Sequence, residues 1–451
     1  MQLTKKIYQR FNTPETLVVL SSFPLQHEEI AKRNAVSRYT FLLLKHLAKS
    51  QLVVVVCERV AGQDNRPYLL KSNVLVLPTF EVNSWLMFGQ IIQVLNRFSE
   101  IKKVLVQFEF SLFGKEIIAF CLSIFLGFLR LQGKQVYTML HQVVTDLGTL
   151  SKQVNITRGS VKAKLINLAM RSFYVMLGLG NQKILVHDNF LAEKLHNLVP
   201  QAKIKVIPHG IASYKSYSTS QKAKFKQELG IQPQQKVLLV YGYHSWYKGT
   251  DFILKAFENF SARYPGKYKL VLAGDTAPTQ LHLPHLKKYQ LDLAQDLKLA
   301  SKAVIHTGFV PETQVGKIFA VSDLVIFPYR SRMSSSGALS VALQYHKPFI
   351  CSPSFSENLT TPGVLKALSG LKLTQANFTF DLNQSSFNKT VSGFFRTKTT
   401  VDKMVKLAKQ LAQARSWSKM ATEYQAQLKA GQPAKDLGLL PVDLALDYET
   451  S

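Results

Sequence analysis

The chain has 451 residues and carries 56 Lys and Arg against 28 Asp and Glu, a formal net charge of +28. Hydrophobic residues at 46% and charged residues at 19% exclude a disordered chain, and the length exceeds what one ordinary core fills. The charge is evenly spread, 26 basic against 12 acidic residues in 1–212 and 30 against 16 in 213–451, so it is no detachable tail. Spread charge suits anionic partners: phosphorylated substrates, an anionic membrane surface or nucleic acid. No zinc-ligand spacing and no aromatic–basic ribonucleoprotein motif supports nucleic acid. The three cysteines, Cys57, Cys121 and Cys351, are scattered and read as buried thiols of a reducing compartment.

Taken in order, the start "MQLTKKIYQRFNTPETLVVL" runs from a basic arm straight into a strand pattern, with no secretory signal. Leu17–Leu20 reads as a strand and Ser37–Lys49 as a helix, followed by strands at Leu52–Cys57, Val74–Leu77 and Val104–Gln107. Ile117–Leu129, "IIAFCLSIFLGFL", is apolar but shorter than the roughly 20 residues of a spanning helix, so it predicts a buried or interface-lying one. Val136–Leu140, Ile184–Val186 and Lys205–Ile207 close the first half. After a polar, lysine-rich stretch the pattern restarts with Val237–Tyr241, a helix over Thr250–Tyr264, then Leu270–Ala273, Val304–His306 and Leu324–Phe327. Thr400–Gln427 reads as one or two helices. Strand–helix alternation of this kind predicts α/β architecture, two Rossmann-like doubly wound domains facing each other across a cleft. The expected boundaries are 1–212, a linker at 213–235, a second domain at 236–415, and a C-terminal helix and tail at 416–451 that returns to the first domain.

Two stretches of the second half carry chemistry. "VLLVYGYHSWYKGTDFILKAF" sets Gly242, a short loop and the pair Lys248-Gly249 before a helix, bringing a cation and free N–H groups to one strand edge. Alone, Lys248 reads first as a solvated helix-start lysine. The order of a P-loop is absent, and no G-x-G-x-x-G follows any strand. "SSSGALSVALQYHKPF", Ser334–Phe349, begins a helix with hydroxyls directly after the strand "LVIF". The bland reading is an N-cap, for which Ser is among the best residues; a capped N-terminus still directs N–H groups at an anion.

Together "KILVHDNFLAEKL", "KIKVIPHGI", "YKGTDFILKAF", "LVLAGD", "HTGFVPE", "AVSDLVIFPYR" and "SSSGALSVALQYHKPFICS" resemble, in order and spacing, the retaining GT-B glycosyltransferases that use nucleotide-activated sugars (group 1). The resemblance extends to about residue 420. "SSFP…SRYTFLLLKHLA", "VLVQFEFSLFGKE" and "VYTMLHQVV" look like the family's acceptor-side loops. It implies a nucleotide-sugar donor on the second domain, with Lys248 on the donor diphosphate and Gly242, Tyr243 and Gly274 around it. Relatives place an arginine where this chain has Tyr243, and Arg330 or Arg332 would substitute. They also carry two glutamates where this chain has Met333 and Val341, and a glycine at His346. The chain instead follows a sub-group with a "PYR…SG" loop, which assigns sugar and phosphate contacts to Ser335, Ser336 and Gly337, and ribose contact to Glu357.

On the acceptor side the resemblance puts His141 near the donor sugar as a catalytic residue, beside Glu109 for an acceptor hydroxyl; His209 reads as structural. The implied reaction is transfer with retention of configuration, needing no metal and no cofactor beyond the donor. A lipid-linked or polysaccharide acceptor and a role in cell-envelope polysaccharide synthesis follow as expectations. "SKQVNITRGSVKAKLINLAMRSFYVMLGLG", residues 151–180, mixes basic and apolar residues and reads as a segment lying on anionic lipid, placing the protein in the cytoplasm, peripheral on the inner membrane face. The rival class is a non-catalytic GT-B-like partner of an active transferase, which the missing glutamates favour. An epimerase of the same fold comes third, for want of a carboxylate-rich cleft.

Overall fold

The structure, a computed structural model, describes residues 5–28, 33–114, 116–145, 159–277, 280, 283–332 and 335–429. The chain divides into two compact units. The first takes in the residues up to Thr145, Leu168–Gly210 and those from Trp417 on; the second takes in Ile211–Ser416 and the segment ending at Asn167.

The first unit is built on an eight-stranded sheet. Its strands are β1 (Leu17–Leu20), β2 (Val53–Glu58), β3 (Tyr68–Lys71), β4 (Val74–Phe80), β5 (Lys103–Phe108), β6 (Gln135–Leu140), β7 (Lys183–Val186) and β8 (Ile204–Val206). They lie in the order β3-β4-β2-β1-β5-β6-β7-β8, parallel except where β3 runs against β4. β1, β4 and β5 are buried along their whole length, and β2 up to its last residue. Strands covered on both faces are uniformly apolar, which is why "VVVVC" shows no alternation. Helices at Ala35–Leu47, Leu86–Arg97, Glu116–Leu131 and Val161–Gly180 supply the cover. The terminal helix Trp417–Lys429 packs here as well, its Tyr424 hydroxyl 3.0 Å from that of Tyr39.

The second unit has a five-stranded, wholly parallel sheet. Its strands are β9 (Lys236–Tyr241), β10 (Tyr268–Ala273), β11 (Val304–Gly308), β12 (Leu324–Phe327) and β13 (Phe349–Cys351), in the order β11-β10-β9-β12-β13. β9 is central and its Val237, Leu238 and Leu239 are fully buried. Because all five strands run the same way, the segments leaving their C-terminal ends share one edge, where ligands of open α/β sheets bind. Residues 213–235, expected to link two domains, contain the helix Thr219–Glu228; its Phe225 packs with Ala320 and Val321 inside the second unit. Of the cysteines, Cys57 and Cys351 are buried and Cys121 half-buried, all free thiols.

Candidate functional site: two sheet edges

At the exit of β9 the chain turns at Gly242 and reaches Lys248 through a short 3-10 turn, Trp246–Lys248. Gly249 follows with φ 71°, and a Cβ there would overlap the carbonyl oxygen of Pro328, so only glycine fits. Gly249 caps the helix Thr250–Ala262 without any side-chain hydrogen bond, so no cap side chain takes its first-turn N–H groups, while that of Asp251 meets the Tyr289 hydroxyl. Gly274, at the exit of β10, meets Gly242 so closely that its Cβ would overlap the Gly242 carbonyl oxygen. Lys248 Nζ comes back over this junction; a Cβ on Gly242 would lie 3.4 Å from it. Lys248 has no ion-pair partner among the described residues, and burial lowers its pKa to about 8. His244 beside it is held neutral: burial, then the charges of His306 and Lys248, lower its pKa to about 4. Tyr243, half-buried, has its hydroxyl pKa raised by burial and adds no charge.

Arg330 does not replace the missing cation. Its fork donates to both oxygens of Asp251 at 2.7 Å each, and Nη1 also donates to Trp246 O at 2.7 Å. Its charge is therefore spent on Asp251, and its role is to fasten the β12 exit to the Lys248 turn. Arg332 has an interaction partner of its own. Met333, at the first expected carboxylate position, lies outside the described residues. Val341, at the second, is 7% exposed and packed in the core, a site that suits no carboxylate.

In the opening of the helix Gly337–Gln344 the cap reading describes Ser336. Its Oγ accepts from Leu339 N at 3.2 Å and meets the Tyr329 hydroxyl, whose own pKa burial raises to about 12. Ser335 is half-buried and Gly337 exposed, with open space where a Cβ would stand. Glu357 opens a 3-10 turn after β13 and so stands on the same edge as Lys248. His346 takes φ 52°, the left-handed region that glycine fills most easily, with its ring stacked on Tyr214 at 4.3 Å.

The first unit's corresponding edge is a different object. β5, β6 and β7 are neighbours in register, Phe108 opposite Leu140 and Leu140 opposite Val186. The residues that follow, Glu109, His141 and His187, therefore emerge side by side, and His209 follows β8. His141 is 8% exposed, with Nε2 2.8 Å from Gln107 Oε1 and Nδ1 3.1 Å from His187 Nε2. His187 Nδ1 lies 3.1 Å from Ile207 O, which can only accept. That fixes the order: His187 donates to Ile207 O, His141 donates to His187, and Gln107 must turn its amide so that Nε2 donates to His141. Gln107 Nε2 lacks a hydrogen bond in its present orientation; the turn brings it onto His141 and sets Oε1 toward the Tyr424 hydroxyl, which can donate to it. Burial, then His187 and His209, hold His141 well below the usual histidine range. Tyr39 packs edge-on against His141, His187, His209 and Trp417, with ring centroids 4.8–5.2 Å away. Sequence reading singled out His141 and Glu109 and missed His187, Tyr39 and Gln107. The available signal was a repeat, "YTML", "KILV" and "KVIP" each followed by His.

Two units each built on a doubly wound, largely parallel sheet give the GT-B fold, and solved structures share it. Sucrose-phosphate synthase from Thermosynechococcus elongatus superposes with a TM-score of 0.67 at 12% identity, over 93% of this chain and 100% of that one. Anabaena HepE in complex with UDP and glucose superposes with a TM-score of 0.63 at 14% identity, over 92% and 99%. Residues 235–369, all within the second unit, match the family model described as glycosyl transferases group 1. Among curated proteins, the chain is 26% identical over 195 residues to the lipopolysaccharide 1,2-N-acetylglucosaminetransferase of Salmonella typhimurium, 43% of this chain and 50% of that protein. It is 28% identical over 138 residues to the alpha-monoglucosyldiacylglycerol synthase of Acholeplasma laidlawii, 30% and 32%. The chain thus spans about a third to a half of the curated relatives it matches.

Proposed function

We propose that the chain is a glycosyltransferase that moves a hexosyl group from a nucleotide-sugar to a lipid-linked or polysaccharide acceptor, retaining the anomeric configuration and using no metal. Lys248 carries the reading. A partly desolvated ammonium with no ion-pair partner among the described residues, beside a helix N-terminus that no side chain caps, on the exit edge of a parallel sheet, is a site for an anion. In the transfer the bond from the sugar's C1 to the donor phosphate breaks, the acceptor oxygen bonds C1, and its proton leaves with the diphosphate. Lys248 and the helix start stabilise the charge that grows on that leaving group, and preorganised charge of this kind supplies a large share of such a rate.

Gly242, Gly274, Ser335, Gly337 and Glu357 surround the donor, and Tyr243 lines it. His141 and Glu109 serve the acceptor side, His141 through an imidazole whose orientation the neighbouring histidine fixes. The UDP complex of HepE supports a nucleotide donor, and the likeness to a lipopolysaccharide transferase supports an envelope saccharide acceptor. The test is calorimetric titration with UDP, GDP and ADP, followed by Lys248→Ala. At least one nucleotide binds the wild type, and Lys248→Ala lowers turnover by about 10²–10³. A Lys248→Ala protein with near-normal turnover sinks the reading. The second reading, a non-catalytic partner, draws on Arg330 being neutralised and Val341 being apolar core. It requires nucleotide binding with neither transfer nor hydrolysis of any donor.

A further inference from the structure

The helix Glu116–Leu131 carries apolar residues on both its buried and its exposed faces. One face, with Leu122, Leu126 and Leu129, is in the core; another exposes Ile117, Ile124, Phe128 and Leu131, the first at 68% and the last at 88%. Those four fall within an arc of about 60° on a helix of 3.6 residues per turn. A surface helix normally carries charge there. A neighbouring helix meets this one on either flank of that arc. Gly180, ending the helix Val161–Gly180, abuts the backbone at Gly127, where a Cβ would stand 2.8 Å from Gly127 N. That helix exposes Leu168 and Leu179 on one side, with Lys164 and Arg171 one turn either side of Leu168. Phe88 packs on Phe125 at 5.1 Å, and its helix begins with exposed Leu86 beside exposed Trp85. Across the three helices stand Arg97, Lys162, Lys164 and Arg171, with Arg130 turned to Asn181 O, against one acid in the sequence, Glu116.

Charge decides the occupant. A second copy of the chain would set this cation excess against itself. A bilayer surface with anionic headgroups offers acyl chains to the leucines, phosphates to the cations and an interfacial zone to Trp85. We propose that this face docks on an anionic lipid surface, with Ile117, Ile124, Phe128 and Leu131 among the headgroups and Lys164 and Arg171 on lipid phosphates. The expectation for residues 151–180 is thereby moved: residues 151–158 lie outside the described structure, and the central element is the helix Glu116–Leu131. The surface stands on exposure and charge and does not depend on the donor site.

The test is co-sedimentation of the full chain with vesicles of phosphatidylcholine alone or mixed with phosphatidylglycerol. The wild type binds the mixed vesicles at low salt and releases them at high salt. Ile117→Ser and Leu131→Ser each weaken the partition roughly tenfold, and Lys164→Glu and Arg171→Glu each about fivefold, with unchanged melting temperatures. Absence of wild-type binding at low salt overturns the proposal. So does undiminished binding by the Ile117→Ser/Leu131→Ser double variant, or a wild-type dimer in solution that this double variant dissociates. Nucleotide titration of the same preparations keeps the readings apart, since these variants bind nucleotide like the wild type.

Discussion

The two sheet edges hold polar groups on opposite terms. In the second unit, Lys248 sits half-buried with no counter-charge among the described residues, next to a helix start capped only by glycine. In the first unit, His141, His187 and Gln107 are linked end to end, and Tyr39 joins Tyr424. Desolvation without a partner costs folding free energy and returns it when an anion arrives. A saturated network returns nothing; it fixes orientation. On the proposed reading the contrast separates a binding edge from a positioning edge, and it can be broken at either side.

The largest effect is expected at Gly249. Alanine there must adopt φ near 71° and still overlap Pro328 O, so Gly249→Ala lowers stability by about 3–5 kcal/mol. Urea unfolding measures it, and nucleotide affinity should fall with it because the Lys248 turn is displaced. An unaltered midpoint contradicts the tight junction described. Next is His187→Ala, which leaves the His141 N–H and Ile207 O without partners and costs about 2–3 kcal/mol. Nucleotide affinity should not change. Were donor binding lost while stability held, the first-unit edge would be part of the anion site after all.

The third prediction uses pH. The lysine pKa is lower in the folded state, about 8, than its ordinary 10.5, so the unfolded chain binds more protons between those values. Stability therefore rises with pH across that window, and below it the cost of the charged lysine is fully present. Lys248→Met should stabilise the ligand-free protein at pH 7 by about 1–2 kcal/mol, a value discounted for partial solvent access. Diphosphate affinity should decline above about pH 8 in the wild type and show no such decline in the variant. A wild-type titration flat from pH 7 to about 10 would refute the desolvated lysine.

The doubly wound sheets and the turn that carries Lys248 were legible because continuous apolar strands and the Lys248-Gly249 pair are local signals. β3 and β13 were not, being an edge strand and a three-residue strand without alternation. The helix Leu86–Arg97 escaped because Trp85 stands at its cap position and makes no side-chain cap bond. Arg330 looked like a free cation because its partner, Asp251, lies 79 residues earlier in sequence. The histidine row emerges only from strand register, since nothing local relates His141 to His187 across 46 residues.

The smallest expected effect separates the two readings of the hydroxyl-rich helix start. Ser336 Oγ accepts from Leu339 N, so Ser336→Ala removes a cap and costs about 1 kcal/mol. If capping is its whole role, nucleotide-sugar affinity stays within a factor of about two, because the helix is retained by Leu339, Ala342 and Leu343 in the core. Ser335 caps nothing among the described residues and sits half-buried on the same edge. Ser335→Ala should therefore leave the unfolding midpoint alone and weaken the sugar-bearing donor more than the bare nucleoside diphosphate. Equal losses for both ligands would place the Ser335 hydroxyl on the phosphates; loss with Ser336→Ala alone would mean that the cap residue also holds the donor.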